Sequence, residues 1–181
     1  MSEKYKIAAD TQPHFVTCTI TGWVDVFSRE AYREKILESL SFCQSEKGLL
    51  IHAWVIMSNH LHLIVSSKAN ALADIIRDFK KYTAKQIIAA IRDNENESRR
   101  EWMLNLFLYA GSRNGNNKEY QFWKSGYHPI VLDSPVKIEQ RLKYLHENPV
   151  RAGWVREPQD YKYSSAVDYY TGTKGLLKIE L

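Results

Sequence analysis

Leu49-Leu50-Ile51-His52-Ala53-Trp54-Val55-Ile56-Met57-Ser58-Asn59-His60-Leu61-His62-Leu63-Ile64-Val65 is a pair of apolar runs broken by the polar dipeptide Ser58-Asn59. Each run has the length of a strand. The break carries turn residues, so the stretch predicts two antiparallel strands joined by a tight turn, Leu49 to Met57 and His60 to Val65. Side chains alternate along a strand, which places Leu61, Leu63 and Val65 on one face and brings His60 and His62 together on the other.

Toward the N-terminus, His14-Phe15-Val16-Thr17-Cys18-Thr19-Ile20-Thr21 alternates apolar and polar residues and predicts a first, half-buried strand. From about Ser28 the period becomes helical, with Ile36, Leu37, Leu40 and Phe42 or Cys43 on one face, Ser28 as N-cap and Gly48 as stop. Toward the C-terminus, Leu72, Ile75, Ile76, Phe79, Tyr82, Ile87 and Ile88 give Ala71 to Ile91 the pattern of a long amphipathic helix.

Asn94 to Gly126 breaks this regularity and reads as a partly helical insertion whose tip, the soft run Gly111 to Asn117, is mobile. His128 to Leu132 predicts a short last strand, with Pro129 at a strand start or edge. Asp133-Ser134-Pro135 opens a helix that Pro149 closes. Arg151 to Leu181, with Tyr161, Tyr163, Tyr169 and Tyr170, has no strong period and reads as an extension over the core.

The order β-α-β-β-α-β is the ferredoxin-like pattern. The expected architecture is α+β: one antiparallel sheet with its helices on one face and the other face free for a site. Residues 1-181 form one domain, with an insertion at about 94-126 and a C-terminal extension at about 151-181.

The composition fits that architecture. Of 181 residues 44% are hydrophobic and 25% charged, which excludes a disordered, collagen-like or low-complexity chain. No apolar run approaches the roughly 18 to 20 residues of a membrane span, and Met1 to Asp10 lacks the basic-then-apolar pattern of a secretory signal. A cytoplasmic protein with no membrane partner is therefore expected. Lys and Arg number 25 against 21 Asp and Glu, a formal charge of +4 that suits an anionic partner without demonstrating one. Cys18 and Cys43 form no CxxC pattern, and buried reduced thiols are expected.

Paired imidazoles on one strand face are either a half-exposed surface pair or the nitrogen half of a metal site, and their spacing leaves both open. The helix from Pro135 supplies a second element. Ile138, Leu142 and Leu145 form its buried stripe, while Lys137, Arg141, Tyr144 and Asn148 share another at spacings of four, three and four. A lone tyrosine on such a helix is ordinarily a packing residue, but beside a cation or a metal a phenol can act as a nucleophile. His146 lies roughly 200° around the helix from Tyr144 and is placed outside the site. Arg77, Lys80 and Lys81 fall within one turn of the second helix, and Arg99 and Arg100 neighbour Trp102; each set reads as a candidate phosphate contact or as a solvated charged face.

Met57-Ser58-Asn59-His60-Leu61-His62-Leu63-Ile64-Val65 resembles the HUH motif, histidine-hydrophobe-histidine, of single-tyrosine transposases. Tyr144-Leu145-His146-Glu147-Asn148-Pro149-Val150-Arg151-Ala152-Gly153 resembles the tyrosine-bearing segment of their REP-associated branch, and Phe122-Trp123-Lys124 followed by His128-Pro129-Ile130 is similar to that branch as well. The resemblance implies an enzyme that uses Mg²⁺ or Mn²⁺ to cleave and rejoin single-stranded DNA, often beside hairpins. Its products would be a 5′-phosphotyrosine and a free 3′-OH. It implies His60 and His62 as metal ligands, Asn148 as the third ligand and Tyr144 as the nucleophile. Arg77, Lys80, Lys81, Arg99, Arg100, Lys137, Arg141 and Arg151 are the expected DNA contacts, and the assembly is a monomer or a homodimer. The alternatives are a non-catalytic single-stranded nucleic-acid-binding protein of the same fold, which would want aromatics where His60 and His62 stand, and a two-histidine phosphoesterase that forms no tyrosine adduct.

Overall fold

The computed structural model describes residues 11–69, 71–115, 119–126 and 128–180. Met1 to Asp10, read above for a secretory signal, and Asn116 and Asn117 of the soft run lie outside them.

The apolar runs form the strands expected of them. β1 (His14–Thr19), β2 (Leu49–Ile56), β3 (His60–Ser67) and β4 (Ile130–Val131) make one sheet in the order β2-β3-β1-β4, every pair antiparallel. α1 (Glu30–Glu46) links β1 to β2, and α2 (Leu72–Asp93) follows β3. This is the ferredoxin-like βαββαβ arrangement. Gly48, at φ +69°, ends α1 as expected. Ser28 does not cap it. That residue lies in a 3-10 turn, Val26–Ser28, and its carbonyl accepts from the Arg33 guanidinium at 3.0 Å, so the helix begins one residue later than the pattern suggested.

Strand alternation sorts the core into two layers. Val16, Cys18, Ile20, Leu61, Leu63 and Val65 meet Ile36, Leu40, Ile76 and Phe79 of α1 and α2 on one face. Phe15, Ala53, Val55 and Ile64 face the other way. That second face was expected to be open, and it is half covered: α4 (Pro135–His146) lays Ile138, Leu142 and Leu145 on it. The cause is β2, which is apolar at every position from Ala53 to Ile56 and shifts register at His52, so both of its faces need cover.

The segment expected to be an insertion supplies part of the main core. α3 (Arg100–Ser112) buries Met103 and Phe107, one turn apart, and the returning chain adds Phe122 and Trp123 to the same cluster. Trp123 Nε1 donates to the buried Thr83 Oγ1 of α2 at 3.1 Å. The chain returns so closely past Gly111 that a Cβ there would collide with the Glu119 carbonyl.

The C-terminal extension has a defined task. β2 is an edge strand, and its outer edge is closed by the tail: Ile56 N donates to Tyr163 O at 2.9 Å, Ser165 N to Trp54 O at 2.9 Å, Trp54 N to Ser165 Oγ at 2.9 Å, and Glu180 N to Ile51 O at 2.8 Å. An edge strand this apolar would otherwise offer itself to another chain. Cys18 and Cys43 are buried and unpaired, as expected. Among the described residues no helix is long and apolar enough to cross a membrane.

Because Phe107 is fully buried in the central cluster, Phe107→Ala is expected to cost about 3 to 5 kcal/mol, while the neighbouring exposed Leu108→Ala changes stability by about 0.5 kcal/mol or less. Urea unfolding of the two variants measures the contrast. Equal, small losses would return residues 94-126 to the status of a detachable insertion.

Candidate active site

β1 and β3 pair in a register that sets Thr17 opposite His62. Both side chains project from the sheet face that α4 approaches, and Thr17 Oγ1 meets His62 Nδ1 at 2.8 Å. One turn of alternation away, His60 Nδ1 meets Asn59 Oδ1 at 2.7 Å. The Asn59 amide nitrogen donates to the Trp23 carbonyl at 3.3 Å, so its oxygen must be the atom that faces His60. A carboxamide oxygen only accepts, and His60 therefore carries its proton on Nδ1 and its lone pair on Nε2. In both rings the hydrogen bond runs through Nδ1 and leaves Nε2 to the site.

The two imidazoles are 4.8 Å apart between ring centres. Burial pushes His62 down to about 3, assisted by repulsion from His60 whenever that ring is protonated and by the Arg141 and Arg151 guanidinium groups, and burial also lowers His60. Both rings are thus neutral at physiological pH, the form that can donate a lone pair to a cation.

α4 brings the phenol to them. Ser134 caps the helix by accepting from Lys137 N, Pro135 occupies its first turn, and the Ile138, Leu142 and Leu145 stripe seats it on the sheet. Tyr144 is left 38% exposed, with its ring 5.5 Å from that of His62 and 6.0 Å from that of Phe15. Arg151 stacks on the Tyr144 ring at 4.5 Å and donates to its carbonyl at 2.7 Å; Arg141 lies 5.2 Å from the Phe15 ring and 6.0 Å from the Tyr144 ring. Two guanidinium groups therefore flank a phenol beside two neutral imidazoles. All of these groups belong to one chain.

Asn148 sits where α4 gives way to the one-turn α5 (Asn148–Arg151). Being followed by Pro149, it was expected to leave the helical path, and it does not: Glu147 keeps αR angles, and Asn148 Nδ2 donates to Tyr144 O at 2.8 Å and Leu145 O at 3.4 Å. Leu145 O is the carbonyl that the absent Pro149 N–H would have served, so the side chain supplies the donor that proline lacks. With Nδ2 so engaged, Oδ1 remains the free acceptor of that amide.

The other expected contacts are not gathered here. Lys137 pairs with Asp133 at 2.8 Å at the start of α4. Arg77, Lys80 and Lys81 ride on α2, on the opposite side of the sheet; Arg77 is paired with Asp74 and Asp78, and Lys80 Nζ reaches Lys124 O at 3.4 Å. Arg99 is held by Asp25 and the buried Glu97, while Arg100 begins α3 with its N–H on Glu97 O at 2.9 Å. His146 is buried behind α4 with Nε2 2.9 Å from Ser165 Oγ, outside the site as its helical angle required. Residues the sequence reading missed are Thr17, Asn59 and Phe15. Asn59 was legible as a neighbour of His60, but Thr17 reaches His62 only through strand pairing.

Nitrogen-detected NMR is expected to find His60 as the Nδ1–H tautomer, and to find both His60 and His62 uncharged at pH 7.5, with His62 still uncharged near pH 5. An imidazolium signal from His62 at pH 6 would overturn this electrostatic description.

A family model described as "Transposase IS200 like" matches residues 8–112, a span that contains β1 and the histidine strand and ends before α4. A solved structure described as a REP-associated tyrosine transposase bound to a REP hairpin superposes with a TM-score of 0.61 over 100% of this chain and 93% of that one, at 16% identity, a likeness of fold. No curated protein gives a match. Since the family model covers more than half of the chain, including the strand that carries both imidazoles, this protein belongs to the IS200-like transposase family.

Proposed function

We propose that this protein cleaves and rejoins single-stranded DNA through a covalent bond to Tyr144, and that a DNA hairpin lies within its substrate. The observation that carries this reading is the convergence, on one sheet face, of His60, His62 and the half-exposed Tyr144 between two arginines. The hairpin-bound structural neighbour supports the choice of DNA form.

The donor set fits a divalent cation. Two neutral imidazoles with free Nε2 atoms and the Oδ1 of Asn148 are two nitrogen donors and one oxygen donor, a set compatible with Mg²⁺ or Mn²⁺ that leaves positions for phosphate oxygen and water. Thr17 and Asn59 hold the two rings in their ligating orientation, the usual office of groups one step behind a metal ligand. A bound Mg²⁺ or Mn²⁺ would polarise the scissile phosphate.

The chain's own residues do the rest. Arg141 and Arg151 place positive charge beside the phenol, where it draws in the phosphodiester and offsets the charge that builds on the attacked phosphate. The Tyr144 oxygen attacks phosphorus in line with the 3′-oxygen. The new O–P bond forms as the P–O3′ bond breaks, the phenol proton is released, and the departing 3′-oxygen takes up a proton. Rejoining reverses these events with a 3′-OH as nucleophile, and no external energy source is required because one phosphodiester-level bond replaces another. Phe15, stacked 5.1 Å from His62 and edge-on to Tyr144 at 6.0 Å, fills the space between the ring and the phenol.

Tyr144→Phe is expected to abolish a protein–DNA adduct that survives denaturing electrophoresis while leaving single-stranded DNA binding within about twofold. Libraries of hairpin-flanked single strands with Mn²⁺ provide the assay. An adduct retained by this variant would move the nucleophile to another tyrosine, and wild-type cleavage without any adduct would favour a phosphoesterase. His60→Ala and His62→Ala are expected to weaken Mn²⁺ binding about 10-fold or more by calorimetry and to eliminate cleavage, with Asn148→Ala milder because water can replace an amide oxygen. Unchanged Mn²⁺ binding in both histidine variants would remove the metal from this reading.

A further inference from the structure

Tyr144, His62 and His60 form the beginning of a row of rings, and the row does not end at His60. The next ring is Trp23, whose indole stands edge-on to His60 with centres 6.4 Å apart. Trp23 is 57% exposed, an unusual position for the largest side chain beside the site.

The backbone beneath it is unusual in the same direction. Trp23 has φ +57°, directly after Gly22 at φ +68°. A bulky residue in the left-handed region is strained, and such strain persists only where the surroundings dictate it. Here they do: Trp23 N donates to Ile20 O at 3.1 Å, Thr21 N donates to Phe122 O at 2.8 Å, and Asn59 Nδ2 donates to the Trp23 carbonyl at 3.3 Å. Leu106 of α3 packs so tightly on this turn that a Cβ on Gly22 would lie 3.1 Å from Leu106 Cδ2. The fold thus holds an exposed indole rigidly, and the amide that fixes the His60 tautomer also holds the indole's backbone.

A cation completes the arrangement. Lys124 Nζ lies 5.3 Å from the centre of the Trp23 ring. No carboxylate among the described residues pairs with it. An aromatic face with a free cation at its margin is what a nucleotide of a single strand needs, a stacking surface for the base and a positive charge for its phosphate.

We propose that Trp23 is the stacking platform for a nucleobase next to the phosphate that Tyr144 attacks, with Lys124 holding an adjoining phosphate. It is a positioning residue: the stacked base fixes the strand so that the scissile phosphate falls between the imidazoles and the phenol. This inference rests on the reading of the site as one for single-stranded DNA.

Two probes separate a base contact from a structural effect: a dye-labelled oligothymidylate of about 20 nucleotides, longer than typical single-strand footprints, and an abasic oligodeoxynucleotide of the same length. Binding is followed by anisotropy without added metal. Trp23→Ala is expected to weaken oligothymidylate binding about tenfold and abasic binding less than twofold, whereas Trp23→Phe loses about threefold on oligothymidylate. Lys124→Gln is expected to reduce the salt dependence of binding by about one phosphate contact on both probes. Trp23→Gly suits the left-handed backbone, so it is expected to melt no lower than wild type while binding as weakly as Trp23→Ala; it serves in its place if the alanine variant fails to fold. Equal losses on the two probes, or no loss on oligothymidylate, would overturn the proposal while leaving the proposed function standing. A wild-type protein that binds neither probe but binds a hairpin-flanked single strand would overturn this proposal alone, and one that binds none of the three would overturn both.

Discussion

The pairing of β1 with β3 in the register that sets Thr17 against His62 is the constraint from which the site follows. Side-chain direction alternates residue by residue, so a slip of one position would turn His60 and His62 into the layer occupied by α1 and α2 and turn Leu61, Leu63 and Val65 outward. The apolar alternation of β3 makes that slip costly. The hydrophobic layer on one face therefore aims the imidazoles on the other, and Thr17 and Asn59 then fix which nitrogen each ring presents.

A polar site inside a packed layer must keep its charges few. His62 sits between Phe15 and Tyr144, where a protonated ring would lose solvation and face Arg141 and Arg151, and burial accordingly holds it neutral. The positive charge is carried instead by the guanidinium groups, which lie over aromatic rings and keep contact with water. Neutral lone pairs at the centre and fixed cations at the rim are the arrangement on which the proposed binding of a phosphate and a divalent cation rests.

The end of α4 shows how a local defect serves the site. Pro149 removes an N–H within α5, just beyond the end of α4, and Asn148 and Arg151 take over by bonding the Tyr144 and Leu145 carbonyls. Those bonds tie the residues at 148 and 151 to the backbone of Tyr144. The phenol, the amide and one guanidinium are consequently positioned as a unit; the spacing of four placed the amide beside the phenol, whereas Arg151, on the separate turn α5, joins them only through its bond to the Tyr144 carbonyl.

The order of elements, the two histidines on one face, the apolar stripe of α4 and the placement of His146 away from the site were determined by the sequence itself, since periods of 2 and 3.6 and the chemistry of Ser, Gly and Pro act locally. Tertiary structure decided the rest. Met103, Phe107, Phe122 and Trp123 look like parts of an irregular excursion until the chain folds back and buries them, because no local period links residues brought together from α3 and the segment after it. Lys137, Arg77 and Arg99 read as free cations until their carboxylate partners are seen: Asp74 and Asp78 on the same helix as Arg77, Asp133 just ahead of α4, and Asp25 far away in sequence. Thr17 and Trp23 were invisible as site residues for the same reason: a cross-strand neighbour and a ring beside His60 exist only once distant segments share a surface, and the free energy that brings those segments together is the burial of apolar side chains elsewhere in the molecule.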